Sequence, residues 1–273
     1  MPVKKRLDVV LTSRGLFRTR SQAAAAVLAG DVLIGPGRER VTKPGMSIAD
    51  DAEIRLQERT RYVSRGGSKL EHALHCFDIP VAGRRCLDAG ASTGGFTDCL
   101  LQFGAAHVVA LDVAYGALDW RIRNDTRVTV LERRNVRTLD PGELPYAPVL
   151  MTADLSFIGL AKVLGALVEC AASRFDLVAL VKPQFELEPA RVGRGGVIRA
   201  AADRLEALLS VGEAARAIGL SIQGYCSSGL PGPAGNRESF IWCAEPEREG
   251  VEDLGTAALE AEPDALPASV VSR

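Results

Sequence analysis

Four ionisable residues, far apart in the sequence, could together carry out proton transfer: Lys69, Asp154, Lys182 and Glu238. Asp154 and Lys182 directly follow short apolar runs, and Glu238 directly precedes one. A lysine can act as a general base when burial and a neighbouring cation disfavour its charged form, while carboxylates hold the ammonium groups in place. The four residues therefore predict a site that removes the proton of a weakly acidic hydroxyl. Taken singly, each could instead form a structural ion pair.

The stretch from Cys86 to Phe96 predicts a ligand-binding turn between a strand and a helix. Its small residues leave room for a ligand against bare backbone, and the first N–H groups of the helix point towards that ligand. The next apolar run ends at Asp112, whose carboxylate could accept hydrogen bonds from two ribose hydroxyls. We therefore expect a cofactor with a nucleoside, bound by Asp88, Gly90, Ala91, Ser92, Thr93, Gly94, Gly95, Phe96 and Asp112.

The sequence of this turn favours one cofactor, S-adenosylmethionine. It lacks the close glycine pair of the nicotinamide fingerprint, and it lacks the lysine of a phosphate-binding G-x-x-x-x-G-K-S/T loop. An acid immediately before the glycines, Asp88, is unfavourable beside a pyrophosphate but suits a ligand that carries an ammonium and a sulfonium. An ordinary tight turn between a strand and a helix is the alternative interpretation.

Strand and helix patterns alternate between residues 84 and 243, which predicts an α/β fold with a doubly wound, mostly parallel, Rossmann-like sheet. Function in such sheets lies at the carboxyl ends of the strands. We expect strands at 85–88, 108–112, 128–131, 149–154, 177–181, 221–226 and 239–243, and helices at 94–104, 116–124, 159–172 and 202–218.

Composition bounds the class of protein. The 273 residues suffice for two domains, and a net charge of −1 conceals a basic front and an acidic end. The six cysteines are scattered without a C-x-x-C pair, so we expect free thiols in a reducing, cytoplasmic setting and no metal site. No apolar run approaches the roughly 18 residues that a membrane span requires, and no signal peptide is expected.

The chain is expected to divide into four parts. Residues 1–60 form a small α+β domain, 61–68 a basic glycine-rich linker, 69–243 the catalytic domain and 244–273 an acidic, weakly ordered tail. The basic residues of the first part would meet phosphates, and a solvated charged surface is the alternative. The candidate RNA-binding residues are Arg6, Arg18, Arg20, Lys43 and, near the linker, Arg65.

Residues 5–57 resemble the RNA-binding domain named after small-subunit ribosomal protein S-four. The resemblance rests on Arg6-Leu-Asp8, Gly15-Leu16, Arg18-x-Arg20, an alanine-rich helix, Gly30-x-Val32 and Val41-x-Lys43-Pro44. It implies structured RNA as the partner.

The segments around Lys69, Asp154, Lys182 and Glu238 resemble the Lys-Asp-Lys-Glu tetrad of the FtsJ-like ribose 2′-O-methyltransferases, which have a class I methyltransferase sheet. The matching segments are Ser64 to Leu70, Leu87 to Thr97, Ala153 to Ile158, Val181 to Glu186 and Gly232 to Glu238. With the basic module in front, the chain to about Trp242 resembles the TlyA family, often labelled haemolysin. The resemblance implies 2′-O-methylation of cytidine in 16S and 23S ribosomal RNA, with an effect on sensitivity to tuberactinomycins such as capreomycin.

The same resemblance implies roles for single residues. Lys182 would be the base, and Lys69, Asp154 and Glu238 would shape the site. Phe157 could stack on a base extruded from the RNA, or it could be a core residue. A monomer acting on 30S or 50S subunits, away from any membrane, is expected.

Three other functions compete with this one. A base N-methyltransferase is suggested by Asp154-Leu-Ser-Phe157, which is similar to the Asp-Pro-Pro-Tyr loop of that class but lacks both prolines. A non-enzymatic RNA-binding assembly factor would require a decayed cofactor site, whereas the loop and tetrad are intact. A membrane-lysing protein finds no support in a transmembrane or strongly apolar amphipathic segment.

Overall fold

The computed structural model describes residues 4–28, 32–37, 39–41, 43–56, 61–193, 195–262 and 264. The chain divides into two compact units, Met1–Thr60 and Arg61–Arg273. This division falls where the sequence predicts the end of the first domain.

The first unit is a small α/β module. Strand β1 (Lys4–Arg6) pairs antiparallel with β4 (Ser47–Ala49), and β2 (Val32–Ile34) lies between β3 (Glu39–Arg40) and β5 (Ile54–Leu56). Helices α1 (Leu7–Ser13) and α2 (Arg20–Leu28) pack on each other over a small core that includes Leu7, Val10, Leu11, Ala23, Val27 and Ile48. The basic residues of this unit whose side chains the structure describes are exposed: Lys4, Lys5, Arg6, Arg14, Arg18, Arg20, Lys43 and Arg55.

The second unit is built on a seven-stranded sheet with the spatial order β11-β12-β10-β9-β6-β7-β8. Six strands run in one direction, and β12 runs antiparallel between β10 and β11. The strands are β6 (Arg85–Ala89), β7 (His107–Asp112), β8 (Val128–Glu132), β9 (Leu150–Ala153), β10 (Asp176–Val181), β11 (Ser221–Ser227) and β12 (Ser239–Ala244). The predicted α/β class and Rossmann-like sheet are confirmed.

Helices cover both faces of the sheet, so alternate residues of each central strand enter different cores. In β6, Leu87 and Ala89 join one core while Cys86 joins the other. The helices are α3 (Arg65–Cys76), α4 (Gly95–Gln102), α5 (Trp120–Arg123), α6 (Leu164–Cys170), α7 (Pro183–Glu186), α8 (Ala201–Ala217) and α9 (Leu254–Ala261).

The register of the parallel strands brings their carboxyl ends to one edge. Ala89 is the partner of Leu111 on one side and of Ala153 on the other, and Ala153 is the partner of Ala179. The loops after β6, β7, β9 and β10 therefore meet, and the order of the chain reverses between β6 and β9. Ligands bind at such a reversal in open α/β sheets.

The predicted linker 61–68 is wrong in its second half. Helix α3 begins at Arg65 with Ser64 before it, so Lys69 lies in the second turn of the helix. A side chain at Gly67 would overlap Tyr62, and one at Gly95 would overlap Ser64. The glycines therefore permit close packing of α3 against α4, whereas the sequence suggested flexibility.

Two predicted helices are shorter than expected. The helix expected at 116–124 begins at Trp120, because Asp119 accepts a hydrogen bond from Arg121 N at 2.9 Å and caps it there. The helix expected at 159–172 is divided into a 3-10 turn, Leu160–Lys162, and α6. Leu160 is the first residue of that turn, and its N–H donates a hydrogen bond to the carboxylate of Glu186.

The predicted tail is also corrected, since residues 244–262 are part of the fold and helix α9 packs over α8 and β11. Its residues Leu254, Ala257, Ala258 and Ala261 are buried. Beyond the helix, the buried Glu262 accepts a hydrogen bond from Arg204 Nε of α8 at 2.9 Å. Residues 263 and 265–273 of the predicted tail lie outside the described residues.

This buried pair gives a test of the folded end of the chain. Glu262→Ala leaves the Arg204 guanidinium buried without its carboxylate, which typically costs about 3–5 kcal/mol. We expect a large fall in Tm by calorimetry, whereas Glu260→Ala, at an exposed position on the same helix, should change stability by no more than about 0.5 kcal/mol. Equal Tm values for the two variants would contradict a folded end.

Candidate active site

A cavity of about 500 Å³ opens at the edge where the parallel strands end. This is the size of cavities that bind small molecules. All four tetrad residues line it, although they come from α3, the loop after β9, the end of β10 and the start of β12. The other lining residues are Ser64, Arg65, Gly66, Gly90, Ala91, Ser92, Gly95, Phe96, Ser156, Phe157, Gln184, Phe185, Gly232, Pro233, Ala234 and Asn236.

Lys69 and Glu238 form a buried ion pair on one wall of this cavity. Lys69 Nζ donates a hydrogen bond to Glu238 Oε2, and the two side chains are 8% and 2% exposed. Gly232 lies against the Glu238 carboxylate, where a side chain would overlap it. Such pairs lose much solvation, so their positions are fixed by the surrounding fold.

Lys182 and Asp154 form the second ion pair. Lys182 Nζ lies 2.6 Å from Asp154 Oδ1 and donates a hydrogen bond of 3.1 Å to Ser156 Oγ. The lysine follows β10 directly and precedes Pro183, which begins α7. The Asp154 carboxylate retains 27% exposure, so this pair faces the cavity opening. Each lysine therefore has its own carboxylate, and the two pairs face one space.

The segment from Gly232 to Glu238 is held by hydrogen bonds. Asn236 Oδ1 accepts a hydrogen bond from Ile198 N at 2.8 Å, and Asn236 Nδ2 donates one to Gly196 O at 2.7 Å. Gly232 N donates to Asn236 O at 2.8 Å. These bonds hold the segment that enters β12, and hence they hold Glu238.

The glycine-rich turn brings bare backbone to the cavity. Gly90 has φ +87°, and a Cβ atom there would lie 2.5 Å from Asp154 O. Gly94 has φ +98°, and its Cβ would lie 2.8 Å from Leu118. Both positions require glycine, since φ is positive and space is lacking. Of the residues predicted to bind the cofactor, Gly90, Ala91, Ser92, Gly95 and Phe96 line the cavity, whereas Thr93 and Gly94 are not part of its lining.

Asp88 does not reach the cavity, which corrects its predicted contact with the cofactor. Its side chain is fully buried and accepts hydrogen bonds from Thr97 Oγ1 at 2.6 Å and Thr152 Oγ1 at 3.1 Å. Burial raises the pKa of the Asp88 carboxyl to about 7, and the two hydroxyls oppose this effect. Asp88 thus joins β6, α4 and β9 beneath the turn.

Asp112 is bonded to the turn at the neighbouring strand end. Its carboxylate accepts hydrogen bonds from Ser92 N and Ala114 N, both at 2.7 Å. Asp112 is partly exposed and stands beside the cavity lining, without being part of it. A carboxylate there can still accept hydrogen bonds from ribose hydroxyls.

Phe157 projects from the rim of the cavity. It is 92% exposed, with φ +65°, and its ring lies 5.4 Å from that of Phe185. A core position, the alternative for this residue, is therefore excluded. Arg65, in the first turn of α3, also lines the cavity and is exposed.

The remaining candidate RNA-binding residues lie on the first unit. Arg6 and Arg20 both pair with the buried Asp8, at 2.9 and 3.2 Å, and remain 57% and 59% exposed. The hydrogen bond from Arg6 lowers the pKa of the Asp8 carboxyl to about 2. Arg18 and Lys43 are exposed as well. Asp8 therefore orients two guanidinium groups that still face solvent.

Several lining residues were absent from the predicted set, notably Ser64, Ser156, Gln184 and Asn236. Each stands within five residues of a tetrad member. Proximity in sequence to the tetrad was the signal that could have found them. Sequence proximity could not show that the side-chain amide of Asn236 is already hydrogen-bonded within the protein, unlike side chains that are free to contact a ligand.

The residues present fit the predicted cofactor. Glycines give the cavity a backbone-lined wall beside the turn, and the Asp112 carboxylate stands at the end of the next strand. A seven-stranded sheet of this order, with a glycine turn after β6, defines the class of α/β methyltransferases that use S-adenosylmethionine.

Comparison with known proteins agrees with this class. The FtsJ-like methyltransferase family matches residues 62–245. The chain is 47% identical, over 96% of its length, to all of the 16S/23S rRNA (cytidine-2'-O)-methyltransferase TlyA of Mycobacterium tuberculosis. It is 40% identical to Hemolysin A of Brachyspira hyodysenteriae, over 71% of this chain and 80% of that protein. The chain therefore belongs to the FtsJ-like methyltransferase family, in the group of TlyA proteins.

A solved structure extends this similarity to the whole chain. A protein of Streptococcus thermophilus, described as a candidate hemolysin, superposes with a TM-score of 0.74 at 39% identity. The match covers 97% of this chain and 96% of that one. Among the described residues, no helix is long and apolar enough to cross a membrane.

The tight turn at Gly90 allows a first test of the cofactor site. Gly90→Ala should weaken S-adenosylmethionine binding at least tenfold by calorimetric titration, because the added methyl forces Asp154 or the turn to move. Gly83→Ala is the matched control, with φ +75° and nothing within 4 Å of the added Cβ. The control shares the backbone strain and should bind like wild type. Wild-type affinity in Gly90→Ala would contradict this position of the turn.

The buried Asp88 predicts a pH-dependent stability. Because its pKa is raised to about 7, the native state keeps a proton that the unfolded chain loses above about pH 4. The contribution of Asp88 to stability therefore falls as the pH rises through this window. Asp88→Asn does not titrate, so its stability relative to wild type should rise between pH 4.5 and 7.5, by on the order of 3 kcal/mol in urea unfolding. A difference that stays constant with pH would contradict this.

Proposed function

We propose that this chain transfers a methyl group from S-adenosylmethionine to the ribose 2′-oxygen of cytidine in 16S and 23S ribosomal RNA. The observation that carries the proposal is the pair of lysine–carboxylate contacts on one cavity beside the glycine turn. The name of the mycobacterial relative supports the same substrate and reaction. We place this activity in the cytoplasm, where ribosomal subunits occur, and expect the chain to act as a monomer.

Residues of the turn would hold the cofactor. Gly90, Ala91, Ser92, Gly95 and Phe96 offer backbone and one aromatic face, and Asp112 offers a carboxylate for the ribose. The bound cofactor supplies a methyl group made electrophilic by a sulfonium. The protein's part is then to align the attacking oxygen and to accept its proton.

Lys182 is the proposed base. Its Nζ is held by Asp154 and Ser156 at the opening of the cavity, where a hydroxyl from RNA would arrive. In its neutral form it accepts the proton that leaves the 2′-oxygen as the new oxygen–carbon bond forms. Lys69 and Glu238 form the more deeply buried wall and would fix the position of the ribose.

Phe157 is proposed to receive the base of the same nucleotide. An exposed aromatic ring at the rim offers a face on which an extruded base can stack, and one such contact is worth roughly 1–3 kcal/mol. Arg65 stands on the same cavity and could contact a phosphate.

The first unit is proposed to supply affinity for structured RNA. Arg6, Arg18, Arg20 and Lys43 are exposed cations, and two of them are oriented by Asp8. Contacts of this kind are with phosphates, so they add affinity that decreases with salt and carry little sequence information. The effect on sensitivity to capreomycin stays a prediction.

The experiment is transfer of labelled methyl to unmodified 30S and 50S subunits, followed by alkaline hydrolysis and nuclease mapping. Wild type should place an alkali-resistant label on cytidine ribose. Lys182→Ala should lose about 10²–10⁴-fold in rate, the usual contribution of a general base, while still binding S-adenosylmethionine.

The Lys182→Arg variant separates the role of Lys182 as a proton acceptor from its role as a positive charge. Arginine keeps a cation beside Asp154 but cannot lose its proton in a protein, so this variant should be as inactive as Lys182→Ala. Substantial activity in Lys182→Arg would show that Lys182 is not the general base. Label on a base would indicate a base N-methyltransferase, and no label on either subunit would contradict the proposed substrate.

A further inference from the structure

The loop from Asp154 to Leu160, called here the 154–160 loop, carries one residue of the proposed proton-transfer pair and the residue proposed to stack on the RNA base. It begins at Asp154, which pairs with Lys182, and it carries the exposed Phe157. Leu160 ends it by starting a 3-10 turn. The conformation of this loop therefore determines the position of Asp154, which holds Lys182, and the position of the Phe157 ring.

Glu186 holds the far end of the 154–160 loop. Leu160 N donates to Glu186 Oε1 at 2.9 Å and to Oε2 at 3.2 Å. Glu186 is the last residue of α7, the short helix that begins directly after Lys182. It does not line the cavity, so its carboxylate is not placed to contact the substrate.

The burial of this carboxylate indicates a specific structural requirement. Burial raises the pKa of the Glu186 carboxyl to about 7, and the Leu160 N–H and the charge of Lys162 oppose the shift. A partly desolvated carboxylate is costly to place. Among the residues that the structure describes, its hydrogen-bond donor is the Leu160 amide, so the cost is offset where the loop is fixed.

Two further contacts fit the loop to α7. A Cβ atom at Gly159 would lie 2.9 Å from Glu186 Oε2 and 3.2 Å from Phe185 O, so a side chain there would displace the Glu186 carboxylate. The Phe185 ring packs against Phe157 at a centroid distance of 5.4 Å and an angle of 47°. The loop is thus joined to α7 at both Phe157 and Leu160.

Phe157 itself needs such support. Its φ of +65° is unfavourable for a residue with a β-carbon, and its ring gains little burial because it is 92% exposed. A conformation of this kind persists only where surrounding contacts determine it. In this loop the contacts on the far side of Phe157 from Lys182 include the Phe185 ring and the Glu186 carboxylate.

We propose that Glu186 is a positioning residue, which fixes the 154–160 loop through Leu160 N so that Phe157 presents its ring to the extruded base. The proposal rests on the proposed function for the identity of the base, but the loop contact itself can be tested without RNA. Glu186 would then act on substrate binding and turnover without touching the nucleotide.

The first test measures methyl transfer by Glu186→Ala. We expect kcat/KM for ribosomal subunits to fall at least tenfold, with S-adenosylmethionine affinity within twofold of wild type. Glu186→Gln keeps an oxygen that can accept from Leu160 N and should retain most activity. Glu188→Ala, at an exposed position two residues on, is the matched control and should behave as wild type. Unchanged kcat/KM in Glu186→Ala would overturn the proposal.

A double-mutant cycle with Phe157→Ala separates positioning from general stability. If Glu186 acts through Phe157, then Glu186→Ala should lower kcat/KM less than threefold in the Phe157→Ala background. Additive losses would overturn the proposal. If Glu186→Ala does not fold, Glu186→Asp, whose carboxylate is one methylene short of Leu160, replaces it in both assays.

Hydrogen exchange in the free protein tests the contact independently of any substrate. The Leu160 amide should exchange at least tenfold faster in Glu186→Ala than in wild type, and the core strands should be unchanged. Unchanged exchange would overturn the role of Glu186 even if methylation is confirmed. Absence of methyl transfer by wild type, with faster Leu160 exchange in the variant, would instead contradict the proposed function alone.

Discussion

The buried pair of Lys69 and Glu238 is the constraint on which the rest of the second unit depends. Two opposite charges with 8% and 2% exposure lose most of their solvation, and only close contact compensates for that loss. Contact requires α3 to approach the start of β12. That approach is possible because Gly67 and Gly95 remove side chains where α3 meets Tyr62 and α4, and because Gly232 leaves room for the carboxylate. The glycines of this protein thus serve charge placement as well as ligand access.

Much of the fold and of the site could be predicted, because the signals are local. Most strands of the seven-stranded sheet contain a short apolar run, and Asp154 and Lys182 stand at strand ends that a parallel sheet brings to one edge. What failed depends on tertiary context. The pair Gly66-Gly67 resembles a linker as long as the helix that packs against it is unknown. Strand alternation turns the Asp88 side chain towards two threonines, and therefore away from the ligand. Helix α9 was assigned to a weakly ordered tail because the segment around it is acidic and contains prolines, although its buried positions 254, 257, 258 and 261 have helical spacing.

The two ion pairs differ in a way that suits different tasks. Lys69–Glu238 is enclosed, whereas Asp154 beside Lys182 remains 27% exposed and belongs to a loop held by Glu186 and Phe185. An enclosed pair defines a fixed wall. A pair that is partly exposed at the opening can be reached by a substrate hydroxyl. Enclosure and access are therefore divided between the two sides of one cavity, and the division follows from which elements carry each pair.

The separation of Lys69 and Glu238 along the chain has a consequence for biosynthesis. The two residues lie 169 positions apart, and Glu238 precedes the last strand of the sheet. A nascent chain that is still being translated holds Lys69 without its carboxylate, and its sheet lacks β12, the strand that joins β10 to β11. The cavity is therefore completed only after β12 has been translated. A protein proposed to modify ribosomes cannot act on the ribosome that is making it until the chain has emerged beyond that strand.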